Sequence, residues 1–90
     1  MRRVVWTDEA LANLLAIRSY IAQFSPLAAQ RFSLRLVAAA EDLAENPDRG
    51  RSADNGRREL ALIRPDLIRY RVVADAVFIL RIRHAARRPD

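Results

Sequence analysis

Hydrophobic positions recur every three or four residues in the first half of the chain and alternate singly in the second half. The first period belongs to a helix with one buried face, the second to a strand. Ala10, Leu14, Ile17, Ile21 and Phe24 follow one another at spacings of 4, 3, 4 and 3 and predict one helical stripe. Ala29, Phe32, Leu36, Ala40 and Leu43 predict a second. Arg31, Arg35, Asp42 and Glu45 fall largely on the other side of that second helix.

Local signals punctuate these stripes. "RVVW" at 3–6 reads as a short strand. Thr7 then reads as an N-cap, with Asp8 and Glu9 placed to suit the helix dipole. Trp6 and Leu11 stand at hydrophobic-staple positions. Ser25 and Pro26 form a second N-cap and first helical position, so the two helices must make a tight antiparallel hairpin. Asn46 before Pro47 disfavours continuing the second helix. "NPDRGRSADNGR" at 46–57 reads as a polar loop. Three strand-like runs follow, at about 58–63, 67–73 and 76–84, separated by "RPD" and "AD". The predicted order is β-α-α-β-β-β in a single domain, 1–90. The simplest fold is α+β, an antiparallel β-sheet with the N-terminal helical hairpin packed on one face. The sheet's other face is then open, or covered by something else.

Composition narrows the functional classes. The apolar fraction of 51% suits a globular fold. A chain of 90 residues buries only about 60–65% of its unfolded surface, so each apolar stripe is needed for the core. No run approaches the roughly 18 apolar residues of a membrane span. The start "MRRVVWTDEA" lacks the apolar region of a signal peptide. The absence of cysteine removes disulfides, thiol catalysis and Cys-ligated zinc, and fits the cytoplasm. With one histidine, a structural metal site is not expected, and no cofactor motif is present. The net charge is +5, and arginine supplies every fixed side-chain cation. Each is a planar fork that binds carboxylate or phosphate through two N–H groups, so acidic partners are expected.

Strand alternation places these arginines. Ile68, Tyr70 and Val72 share one face of their strand; Leu67, Arg69, Arg71 and Val73 share the other. In the last strand Phe78, Leu80, Ile82 and His84 oppose Val77, Ile79, Arg81 and Arg83. The core faces are expected to be Ile68–Tyr70–Val72 and Phe78–Leu80–Ile82. That gathers Arg69, Arg71, Arg81 and Arg83 on the open face, and it requires a hairpin loop of three or five residues. A two-residue turn at Ala74–Asp75 would instead put Arg69 and Arg71 with Phe78 and Leu80, burying charge at a cost of several kcal/mol. His84 ends the core side of the last strand, with no carboxylate near it in sequence. A catalytic imidazole needs such a partner, so a structural histidine is the simpler reading.

"VVWTDEALANLLAIRSYIAQFSPLAAQRF", "LAENPDRGR", "RELAL", "LIRYRVV" and "VFILRIRHAARRP" together resemble the RelE/ParE family of bacterial toxins, over about residues 3 to 89. The ordered set carries the resemblance; no single motif does. It implies a cytoplasmic toxin held inactive by a cognate antitoxin whose C-terminal segment has apolar and often acidic anchors. It also implies one of two targets. The ribosome-dependent mRNA endoribonuclease branch typically has an arginine three residues before the middle-strand tyrosine. Here Leu67 stands there, before Tyr70. That branch often ends near a tyrosine, and "HAARRPD" has none. Both departures point to the ParE-like branch, directed at DNA gyrase and without nuclease activity. Arg69, Arg71, Arg81, Arg83, Arg87 and Arg88 are then expected to bind partners. In the alternative, the ribosome with mRNA is the partner. Arg69, Arg71, Arg81, Arg83 and His84 would then be the catalytic set, with Glu59 as a second proton-transfer group.

Overall fold

The computed structural model describes residues 2–62 and 66–84. Thr7 starts the first helix as its sequence position predicts. Its Oγ1 accepts the Ala10 N–H at 3.2 Å and donates to the Ile79 carbonyl at 2.8 Å. The hydroxyl therefore caps α1 (Asp8–Ala22) and ties that cap to the sheet. Ser25 Oγ caps α2 (Pro26–Asp42) by accepting the Ala28 N–H at 3.1 Å. Pro26 sits where its missing N–H costs nothing.

The α2 stripe is buried as expected: Ala29, Phe32, Leu36 and Ala40, with Leu43 just past the helix end. On α1, Ala10, Leu14 and Ile17 are buried and Ile21 packs against them. Phe24 departs from the expected stripe and is 75% exposed. The helix ends at Ala22, so Phe24 lies in the turn, edge-on to Tyr20 at 5.5 Å between ring centres.

Five strands form one sheet among the described residues, in the order β1-β5-β4-β3-β2. They are β1 (Arg3–Trp6), β2 (Arg51–Ser52), β3 (Arg58–Ala61), β4 (Leu67–Val73) and β5 (Ala76–Arg83). The α+β class stands as read from the sequence. The sheet is mixed rather than wholly antiparallel, because β1 runs parallel to β5. No tight turn sets the direction of β1. It runs straight into α1, and the Thr7 N–H and Oγ1 both bond the Ile79 carbonyl where that crossing occurs. The 46–57 segment is also more ordered than a plain loop. It holds β2 between two short 3-10 turns, Pro47–Arg49 and Asp54–Gly56.

The β4–β5 hairpin corrects the expected register. Val73 pairs with Ala76, so the turn has two residues, Ala74 and Asp75, with Ala74 at φ 52. Its first central residue is thus left-handed, as hairpin turns that match strand twist require. Starting from that turn, Val72 pairs with Val77 and Tyr70 with Ile79. A register shift follows: Arg69 pairs with Arg81, which leaves Leu80 as the extra residue of a β-bulge. The core side of β5 is therefore Val77, Ile79 and Ile82, all buried, rather than Phe78, Leu80 and Ile82. Phe78 and Leu80 are half-buried. The bulge reverses the alternation once, so Arg69, Arg71, Arg81 and Arg83 still reach the open face without the longer loop.

Tyr70, Leu36, Leu43, Ile68, Ile79 and Val77 are the largest fully buried side chains. Each contributes on the order of 1.5–3 kcal/mol by leaving water. Helices and sheet thus share one core, and the opposite sheet face carries the cations.

Candidate partner-binding face

The four arginines are on one face but not in one state. Arg69 donates twice to Glu59 Oε2, at 2.8 and 3.2 Å. The same carboxylate faces Arg51 at 3.8 Å and is only 14% exposed. Glu59 is therefore held between two guanidiniums, and its proton-transfer role in the alternative reading has no free carboxylate to support it. Arg71 donates to the Asn55 carbonyl at 2.7 Å and straps the 54–56 turn to β4, where Asn55 is left-handed at φ 60. Its Nε is buried without a partner among the described residues. Arg81 has only a loose contact, 3.9 Å, to the exposed Glu9. Arg83 stands opposite Leu67. The least committed cations of the face are thus Arg81 and Arg83, on either side of the buried Ile82. Their stems lie along apolar neighbours while the charged heads meet water. Arg87 and Arg88 lie outside the described residues.

His84 faces the other way. Its ring meets Phe32 of α2 edge-on at 5.9 Å between ring centres. Its Nδ1 lies 2.5 Å from Asp66 Oδ1, and Arg35 Nη2 lies 3.2 Å from Asp66 Oδ2. The carboxylate accepts from both, so Nδ1–H donates and Nε2 is the open ring nitrogen. Asp66 is 4% exposed and joins α2, the β3–β4 connection and the end of β5. Sequence reading missed it, because "RPD" reads as a turn and the His84 partner is 18 residues away.

Tyr70 is equally committed. Its hydroxyl donates to the Pro47 carbonyl at 2.6 Å and accepts the Gly50 N–H at 2.8 Å. Burial pushes the phenol above its ordinary pKa, against the opposing pull of the Gly50 hydrogen bond and the Arg58 and Arg49 charges. Among the described residues no cluster of three or more His, Asp or Glu side chains could hold a metal ion. No helix among them is long and apolar enough to cross a membrane.

A small α+β domain with a cation-bearing open sheet face and no assembled acid–base site describes a protein that acts by binding. A family model described as "ParE toxin of type II toxin-antitoxin system, parDE" matches residues 4–89. The chain belongs to this RelE/ParE family of type II toxins, and membership implies a cognate antitoxin as its protein partner. "Toxin RelE2" of Caulobacter vibrioides is 61% identical over 87 residues, covering 97% of this chain and 99% of that protein. "Toxin RelE3" of the same organism is 34% identical over 91 residues, covering 98% and 99%. A solved structure titled "Chromosomal ParDE TA system from P. aeruginosa" superposes with a TM-score of 0.80 at 31% identity, over 93% of this chain and 96% of that one.

Proposed function

We propose that this toxin is ParE-like, acts in the cytoplasm on DNA gyrase, and does so by binding rather than by cutting RNA. The observation that carries the reading is the separation of its proton-transfer groups from its open arginines. RNA cleavage through the 2′-OH needs a base, an acid and cationic stabilisation close together. Here Tyr70 is buried and doubly hydrogen-bonded, His84 is held on the helix side by Asp66, and Glu59 is clamped by Arg69. Leu67, opposite Arg83, supplies no charge where the nuclease branch would have one.

Arg81 and Arg83 then serve recognition. An acidic antitoxin segment or an acidic patch on the target suits them by charge complementarity.

Purified toxin is expected to inhibit gyrase supercoiling and to trap gyrase–DNA cleavage complexes, with antitoxin reversing both. Unchanged gyrase activity at high toxin excess, together with new A-site cuts in ribosome-bound mRNA, would transfer the function to the endoribonuclease branch.

A further inference from the structure

A groove of about 480 Å³ lies on the helix side of the sheet, between the start of α2 and the end of β5. None of the four face arginines lines it. Ile21, Leu27, Ala28 and Phe32 supply apolar walls, and Arg31, Arg35 and His84 supply N–H donors. Arg31 and Arg35 are one helical turn apart, so they stand on the same side of α2. The single carboxylate in the lining, Asp66, already accepts from Arg35 and His84. Two guanidiniums against one carboxylate leave the groove cationic. Arg35 uses one nitrogen on Asp66 and is 46% exposed, which leaves the rest of its fork for a second acceptor. The apolar surface continues outward: Leu27 is 56% exposed, and Phe24, three residues earlier, is 75% exposed.

We infer that this groove docks a short acidic segment of a partner protein. One apolar side chain enters against Ile21, Ala28 and Phe32, and carboxylates a helical turn apart pair with Arg31 and Arg35. Helical peptides dock in grooves through such i, i+3 and i+4 anchors. Arginines spaced by one turn match carboxylates spaced the same way. Asp66 holds Arg35 and His84 in place before binding, so less side-chain freedom is lost when the segment arrives. The groove and the arginine face are on opposite sides of the sheet, so ligands on the two do not compete. The groove therefore rests on the chain being a partner-binding toxin and is independent of whether gyrase is the target.

The test uses the full chain and two synthetic amphipathic helical peptides, one with leucine anchors flanked by glutamates and its counterpart with lysines. Saturable binding of the glutamate peptide is expected, with NMR shifts centred on Ala28, Phe32 and the His84 ring. The lysine peptide should not bind. Arg31→Glu should weaken the glutamate peptide about tenfold or more. Ala28→Trp should abolish its binding by filling the groove. Both residues are exposed, so an unchanged melting temperature shows that the variants fold. Absence of saturable binding, shifts centred on Arg81 and Arg83, or closure of the groove by a second copy of the chain would each overturn the inference.

Discussion

The Tyr70 hydroxyl and the Gly50 backbone are in contact as tightly as their atoms allow. The hydroxyl accepts the Gly50 N–H at 2.8 Å, and a Cβ on Gly50 would stand 2.6 Å from that oxygen and 2.7 Å from the ring. Tyr70→Phe strands a buried N–H and the Pro47 carbonyl, and is expected to cost about 1–3 kcal/mol in urea denaturation. Gly50→Ala should cost roughly 3 kcal/mol through overpacking. It should remain destabilising in the Tyr70→Phe background, because the ring carbon and the Glu59 carbonyl, at 2.9 Å, still obstruct the methyl.

Tyr70 also sets a limit at alkaline pH. Its folded pKa is raised, chiefly by burial. A phenol with a raised folded pKa contributes stability fully below its unfolded value, about 10, and loses it as pH rises through the folded value. Unfolding free energy should therefore fall above about pH 10 in the wild type. Denaturation curves taken through that range should show a smaller fall in Tyr70→Phe.

The Leu80 bulge makes a prediction about chain length. Deleting Leu80 leaves Val77, Ile79 and Ile82 in regular alternation, so the core pairing of Ile82 with Ile68 is retained. What suffers is the tie to α1: Thr7 Oγ1 lies 3.3 Å from the Leu80 carbonyl, and Asn13 Oδ1 accepts the Ile82 N–H at 3.0 Å. The deletion should fold with a loss of about 1–2 kcal/mol. Inserting one alanine after Leu80 should turn Ile82 outward and abolish cooperative unfolding. Circular dichroism and urea titration distinguish the two.

Asp66 is expected to matter more than either of its partners. Asp66→Ala removes the acceptor of both His84 and Arg35 and should cost about 1–3 kcal/mol. Arg35→Ala should cost less, about 0–1 kcal/mol, because that half-exposed cation is solvated in any case. Chemical denaturation of the two variants gives the comparison directly.

The face arginines should divide by role. Arg71 holds the Asn55 carbonyl, so Arg71→Ala should lower stability by about 1 kcal/mol. The Arg81→Gln, Arg83→Gln double variant should stay within about 0.5 kcal/mol of wild type. It should nevertheless bind antitoxin or target more weakly by calorimetry. Unchanged affinity would remove these two residues from the recognition surface.

Much of the fold was legible because it is local. The caps at Thr7 and Ser25 and the stripe from Ala29 to Leu43 depend on residues within a turn or two of each other. The arginine cluster was legible in outcome but not in cause. Two departures from simple alternation, a two-residue turn and a one-residue bulge, act in opposite senses and restore the face that a longer loop would have produced. Phe24 was misplaced because periodicity does not mark where α1 stops.

The sequence by itself determined the α+β class, the helical hairpin and the presence of a cationic sheet face. Each follows from periodicity, capping chemistry or charge along neighbouring residues. Only the tertiary structure decided which groups are free to act. Asp66 meets His84 across 18 residues, Thr7 meets Ile79 across 72, and Tyr70 meets Gly50 across 20. Such pairings depend on strand order and register, which the whole packed core selects. They commit Tyr70, Glu59 and His84 to structure and leave Arg81 and Arg83 facing solvent.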